Sequence, residues 1–301
     1  MDTFPRWADP FVCALAQNKV LTTALLAFAA GDAFGVYYEF LPRGNEVILQ
    51  ELREKNGWPF GGVSDDTLLT LLTIQGLRET SAANGAEKFL TLLRENVAHL
   101  RGLGPTTRTA LGLPVRADER GEIGNTNGAI MRTALLGLYF DVESATLRRE
   151  WVGNLVRATH NSEKAVACAQ IAAALFSKNQ NSILQVIQNE LGALENVPEE
   201  VGRFAESLEI WNPPDAGISL DPLETLLAVV WVVNRAKNCA EAYSLACLLG
   251  GDTDTVAALS GSLFAVRNPD SADFFDIPWL TRIDWNEIVI GVNDAIEVEP
   301  R

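Results

Sequence analysis

The stretch "LLGGDTDTVAALSGSL" (248–263) places two aspartates and two threonines between a glycine pair and an apolar run. Asp252 suits a helix N-cap, where one side-chain oxygen accepts an orphan amide of the first turn. Capping needs one oxygen, yet four oxygen-bearing side chains follow one another from Asp252 to Thr255. Asp252, Asp254 and Thr255 can also present oxygens around one point, the environment that hard cations such as Mg²⁺, Mn²⁺ or Ca²⁺ require. Read alone, the stretch leaves both capping and ligation open. The apolar residues behind it recur at three- and four-residue spacing, which predicts a helix over 254–266.

The same periodicity extends along the chain. It predicts helices over 11–30, 66–79, 86–100, 128–140, 147–158, 163–177, 182–194, 199–210, 223–237 and 240–249. Alternating β-branched runs are not sustained, and glycine and proline punctuate the helices in "NGWPFGGV", "RGLGPT", "RGEIGNTNG" and "WNPPDAG". With no internal repeat, low-complexity tract or obvious linker, the expectation is an all-α chain forming one domain over 1–301.

Composition narrows the function classes. The chain has 301 residues, 48% of them hydrophobic, enough for a sizeable core. A net charge of -15 disfavours a general binder of nucleic acid or anionic membranes. Cys13, Cys168, Cys239 and Cys247 lack metal-like spacing; the last three lie in apolar stretches and read as buried, reduced thiols. His99 and His160 are the two histidines, too few for a His-built zinc centre. The segment "VLTTALLAFAA" (20–30) follows no basic leader, and no apolar run approaches the ~18 residues of a membrane span. A cytoplasmic location is the resulting expectation.

Other loop-to-helix junctions repeat the polar density. In "GGVSDDTLLTLLTIQGL" (61–77) two glycines precede Ser64, Asp65, Asp66 and Thr67. First-turn acids of this kind are ordinarily stabilised by the helix dipole, at roughly 0.3–1 kcal/mol each. Two acid-rich helix starts facing each other would repel unless cations sat between them. In "AAGDAFGVYYEF" (29–40), Gly31, Asp32 and Gly35 suit a crowded place, and Glu39 reads as a surface acid, a metal ligand or a base activating water. The loop "GEIGNTNGAIMR" (121–132) offers amides to an anion, and "RGLGPTTRTAL" (101–111) a second set. His160, in "RATHNSEKAVACAQ" (157–170), falls in an interhelical loop.

In order, "GDAFGVYYEF", "GGVSDDTLLT", "GLGPTTRTAL", "GNTNGAIMRTALLGL", "RATHNSEKAVACA" and "LGGDTDTVAALSGSL" resemble the ADP-ribosylglycohydrolase family over about residues 20–265. The resemblance implies a compact orthogonal bundle of helices holding two Mg²⁺ or Mn²⁺ ions. It assigns Ser64, Asp65, Asp66, Asp252, Asp254 and Thr255 to the metals, and Glu39, Asp65 and Asp66 to catalysis. Asn127, Gly128 and Ala129 would meet the ADP-ribose phosphate and ribose, with Gly102, Gly104 and Thr106 close by and His160 bordering the ligand. Tyr37, Gly102 and Leu135 stand where many members have Pro, Asp and Pro, and Ser64 where many have Thr. Those departures bear on substrate preference and leave the acid set intact.

The function so implied is metal-dependent hydrolysis of the glycosidic bond between ADP-ribose and a modified protein side chain. Two readings compete: a non-catalytic ADP-ribose-binding or partner-blocking protein of the same fold, and a two-metal phosphohydrolase, which uses similar oxygen ligands. Retention of Glu39, Asp65, Asp66, Asp252 and Asp254 favours the enzyme.

Overall fold

In the computed structural model, which describes residues 4–44, 46–47, 51–178, 181–269, 272–299 and 301, Asn18 divides the helix expected over 11–30. Its side chain accepts the amide of Leu21 at 3.1 Å and so begins a new helix. Fifteen α-helices follow one another among the described residues. They are α1 (Val12–Gln17), α2 (Lys19–Gly35), α3 (Asp65–Gly76), α4 (Ala82–Asn96), α5 (Pro105–Ala110), α6 (Gly128–Thr133), α7 (Ala145–Arg157) and α8 (Glu163–Phe176). Then come α9 (Ile183–Ala193), α10 (Glu199–Gly202), α11 (Phe204–Ile210), α12 (Pro222–Val233), α13 (Cys239–Leu249), α14 (Thr253–Arg267) and α15 (Val289–Ile296). Short 3-10 turns join several of them, and the one extended pairing among the described residues is an isolated parallel bridge between Ile218 and Gly251. The fold is all-α, as expected.

Several boundaries differ from the periodicity. The helix expected over 128–140 tightens to 3-10 geometry after Thr133, where Gly137 packs directly on the backbone of α8 and a Cβ would collide with the Ala173 carbonyl. The stretch 199–210 breaks at Arg203, and 223–237 ends at Val233. Helices α5 and α15 lacked a strong periodic signal because they are short.

The residues group into two compact units, the first comprising 1–68, 213–218 and 228–297. Its centre is the packing of α2 on α14, with α13 and α15 alongside. Gly31 and Gly35 make this approach possible: a Cβ at either would strike the backbone of α14, at Ala257 or Asp254. Polar side chains then stitch the helices, with Ser262 Oγ donating to the Ala24 carbonyl (2.7 Å) and Thr253 Oγ1 to that of Gly35 (2.9 Å). From α13, Tyr243 donates to the Ala27 carbonyl at 2.9 Å. These bonds satisfy hydroxyls that burial would otherwise penalise.

The second unit comprises residues 69–212, 219–227 and 298–301. Alanine-rich α8 is its centre and packs on α6, α7 and α9. Arg148 on α7 and Glu190 on α9, both buried, pair at 2.7 Å. Cys168, Cys239 and Cys247 are buried free thiols and Cys13 is exposed, as the apolar settings of the first three suggested.

Candidate metal centre

The centre lies within the first unit. Ser64 begins α3, and its Oγ accepts the Asp66 amide at 3.0 Å. A second capping acceptor comes from α2. Asp32 receives the Ser64 amide on Oδ1 (2.9 Å) and on Oδ2 (3.1 Å), and takes the amide of Thr67 on Oδ2 (3.1 Å). The start of α3 is thus capped by Ser64 and Asp32. Ordinary capping therefore does not account for the carboxylates of Asp65 and Asp66.

The other acid-rich start is shaped by Gly250 and Gly251, at φ of 71° and 73°, a region side-chain-bearing residues rarely adopt. Gly251 is held on two sides. Its carbonyl accepts the Phe40 amide (2.7 Å) and its amide donates to the Leu41 carbonyl (3.1 Å). On the other side, Ile218 donates to the Gly250 carbonyl (3.0 Å) and accepts from the Asp252 amide (2.9 Å). Asp252 then occupies the N-cap position of α14 with no side-chain capping bond. Phe40, itself at φ 60°, follows Glu39, so the Phe40–Gly251 bond ties the Glu39 segment to the Asp252 segment.

Glu39, Asp252 and Asp254 converge, each offering an oxygen within 4.8 Å of the others. Asp65, Asp66, Asp252, Asp254 and Thr255 are all buried, and Glu39 is partly exposed. Burial pushes the carboxyls of Asp65, Asp66 and Asp254 well above the usual range. Neighbouring acids add to this: Asp32, Glu39 and Asp252 act on Asp65, and Glu39, Asp66 and Asp252 on Asp254. Asp32 is pushed up to about 6 by burial, against the hydrogen bonds from Thr67 and Ser64. Lys55 brings a positive charge, its Nζ lying 2.5 Å from Glu39 Oε2. A set of hard oxygen donors whose charges oppose one another in a buried setting fits divalent cations.

The two acid-rich starts expected from sequence therefore share one electrostatic neighbourhood, with Glu39 part of it. Asp32 and Lys55 were not among the expected site residues. Asp32 had a signal, since it is an acid flanked by glycine and alanine deep in an apolar helix; Lys55 in "REKNG" had none.

The residues expected at the ligand fall in the second unit. Asn127, Ala129 and Thr106 are buried, and Gly128 lies against the His160 ring. The Asn127 side chain donates to Thr225 Oγ1 at 2.9 Å and its amide to the Leu220 carbonyl at 2.8 Å. His160 is fully buried, with Nε2 3.0 Å from Thr126 Oγ1 and Nδ1 2.8 Å from Thr159 Oγ1. Burial and the nearby Arg132 charge lower its pKa to about 3, so its ring is neutral. Gly102, at φ 90°, and Gly104 flank the turn into α5.

The ADP-ribosylglycohydrolase family model matches residues 16–296, and the chain belongs to that family. It is 28% identical to the ADP-ribosylarginine hydrolase Tri1 of Pseudomonas putida, over 94% of this chain and 80% of that one. It is 26% identical to the ADP-ribosyl-[dinitrogen reductase] glycohydrolase of Rhodospirillum rubrum, covering 87% and 89%. Among solved structures, an ADP-ribosylglycohydrolase-related protein complex aligns with a TM-score of 0.69 and 25% identity, covering 93% and 97%. No helix among the described residues is long and apolar enough to cross a membrane.

Proposed function

We propose that this protein is a metal-dependent hydrolase that cleaves the glycosidic bond joining ADP-ribose to a modified protein side chain, as one domain over residues 1–301. The observation that carries the reading is the convergence of Glu39, Asp252 and Asp254 beside the buried Asp65 and Asp66, the start of α3 being capped by Ser64 and Asp32 rather than by those two carboxylates. Family membership and the activities for which the Pseudomonas and Rhodospirillum relatives are named support it.

Ser64, Asp65, Asp66, Asp252, Asp254 and Thr255 would hold two Mg²⁺ or Mn²⁺ ions, and Glu39 stands close enough to join them. Bound there, such ions supply Lewis acidity toward the vicinal ribose hydroxyls and toward water. Glu39, at the partly exposed edge of the cluster, takes the proton of the attacking water. The water oxygen bonds to the ribose carbon that bears the side chain as the glycosidic bond breaks, and the proton taken by Glu39 passes to the leaving nitrogen or oxygen. The carboxylates of Asp65 and Asp66 stabilise the positive charge that develops on the sugar. Gly102, Gly104, Thr106, Asn127, Gly128, Ala129 and His160 serve the ADP-ribose phosphates and ribose, either in contact or by positioning the loops.

The test is Mg²⁺- or Mn²⁺-dependent release of free ADP-ribose from arginine- and serine-linked protein substrates by the purified chain. Release from at least one linkage, abolished by chelator, is expected. Release of AMP instead would favour a phosphohydrolase, and ADP-ribose binding without turnover a non-catalytic reader.

A further inference from the structure

Within the first unit, the segment 52–58 runs beside the one that carries Glu39 and brings two cations to it. The Arg53 guanidinium lies 4.9 Å from the centre of the Tyr37 ring. Two residues on in each segment, Lys55 Nζ lies 2.5 Å from Glu39 Oε2. The same ammonium stands 5.3 Å from the centre of the Trp58 ring, within range of a cation–π contact. Leu52, at the start of the segment, is buried, whereas the Lys55 and Glu39 side chains keep 29% and 18% of their surface exposed. The pair is thus open to a molecule arriving from outside. In a chain of net charge -15, this edge of the acid cluster is locally cationic.

A carboxylate that passes a proton to the leaving atom has that atom within hydrogen-bond reach. Reach of about 3 Å from Glu39 keeps the leaving atom within roughly 8 Å of the Lys55 ammonium. The charge of the departing side chain therefore matters. An arginine acceptor is a guanidinium and stays cationic, whereas a serine acceptor leaves through an uncharged oxygen. A cationic acceptor has to stand near Nζ, against like-charge repulsion, or to displace Lys55 from both Glu39 and Trp58. A neutral acceptor does neither. We infer that Lys55 is a specificity-determining residue, which turns the site toward ADP-ribose carried on a hydroxyl side chain and away from the arginine linkage. The reaction in this inference rests on the proposed function; the contacts of Lys55 do not.

The test compares two peptides that differ only in the modified residue, one ADP-ribosylated on serine and one on arginine. Release of ADP-ribose by the full-length protein is followed at saturating Mg²⁺, and kcat/KM is taken for each. The wild type is expected to favour the serine linkage. Lys55→Gln should raise the arginine-to-serine ratio of kcat/KM about tenfold, the partial exposure of the pair limiting the change. Lys55→Arg, which keeps the charge, should keep the wild-type preference. The ratio cancels any effect of the substitution on metal affinity or on folding, since one enzyme sample meets both peptides. A wild type that favours arginine, a ratio unmoved in Lys55→Gln, or a Lys55→Arg that behaves as Lys55→Gln overturns the inference while leaving hydrolysis intact. A wild type that releases ADP-ribose from neither peptide overturns the proposed function, and this inference falls with it.

Discussion

Asp32 Oδ2 takes both the amide (3.1 Å) and the hydroxyl (2.5 Å) of Thr67, so α2 sets where α3 begins. Asp65 and Asp66 lie between that anchor and Ser64, and their placement depends on it. Asp32→Ala would leave the Ser64 and Thr67 amides without their buried acceptor. It is expected to lower stability by about 2 kcal/mol in urea denaturation. Mn²⁺ affinity, read by electron paramagnetic resonance, should fall about tenfold or more. Unchanged Mn²⁺ affinity would show that α3 keeps its register without Asp32.

Removing an acid from the centre should move two quantities in opposite directions. Burial and the charges of Glu39, Asp66 and Asp252 raise the Asp254 carboxyl, so at pH 8 its ionised form is held against a penalty. Asp254→Asn is expected to raise the melting temperature of the metal-free protein at that pH. It should also abolish most of the further rise that Mg²⁺ or Mn²⁺ gives the wild type. Thermal scans with and without chelator measure both.

Lys55 lies 2.5 Å from Oε2 of Glu39, one of the three acids that converge as a candidate cation site. An ammonium there repels a divalent ion and competes with it for the carboxylate. Lys55→Gln should tighten Mn²⁺ binding by roughly three- to tenfold, the pair's partial exposure limiting the gain. Weaker binding in this variant would mean that Lys55 chiefly holds Glu39 in place.

His160 makes acid stability predictable in sign. Its folded pKa of about 3 lies below the ordinary value of 6.5, so the folded chain binds fewer protons than the unfolded one. The stability it contributes is fully present above pH 6.5 and is lost as pH falls toward 3. Between pH 7.5 and pH 5 this amounts to about 2 kcal/mol. His160→Gln should lack that part of the pH slope, measured as the wild-type-minus-variant difference in urea titrations so that the carboxylates cancel.

Much of this was legible in the sequence because helices announce themselves by spacing and paired acids by composition. The helix expected over 254–266 is observed as Thr253–Arg267, and the two glycine-then-acid starts do share one electrostatic neighbourhood. The misses have physical reasons. Asn18 restarts a helix inside an apolar run because its side chain competes with the backbone for the Leu21 amide. Gly137 abandons α-geometry because it packs on a helix remote in sequence. The partnership of Lys55 with Glu39 exists only once separate segments meet, and it leaves no local pattern.

The bare contact of α2 on α14 has a bearing on how this lineage can change. Where Gly31 and Gly35 lie, no side chain cushions the helix that carries Asp254 from the helix that carries Asp32. A new methyl group at either glycine would shift an acid of the centre rather than be absorbed by repacking. Substitutions that alter chemistry and substitutions that alter the core are therefore the same substitutions here. Diversity in what such a protein acts upon has to be written in its loops, while this pair of helices stays mutationally silent.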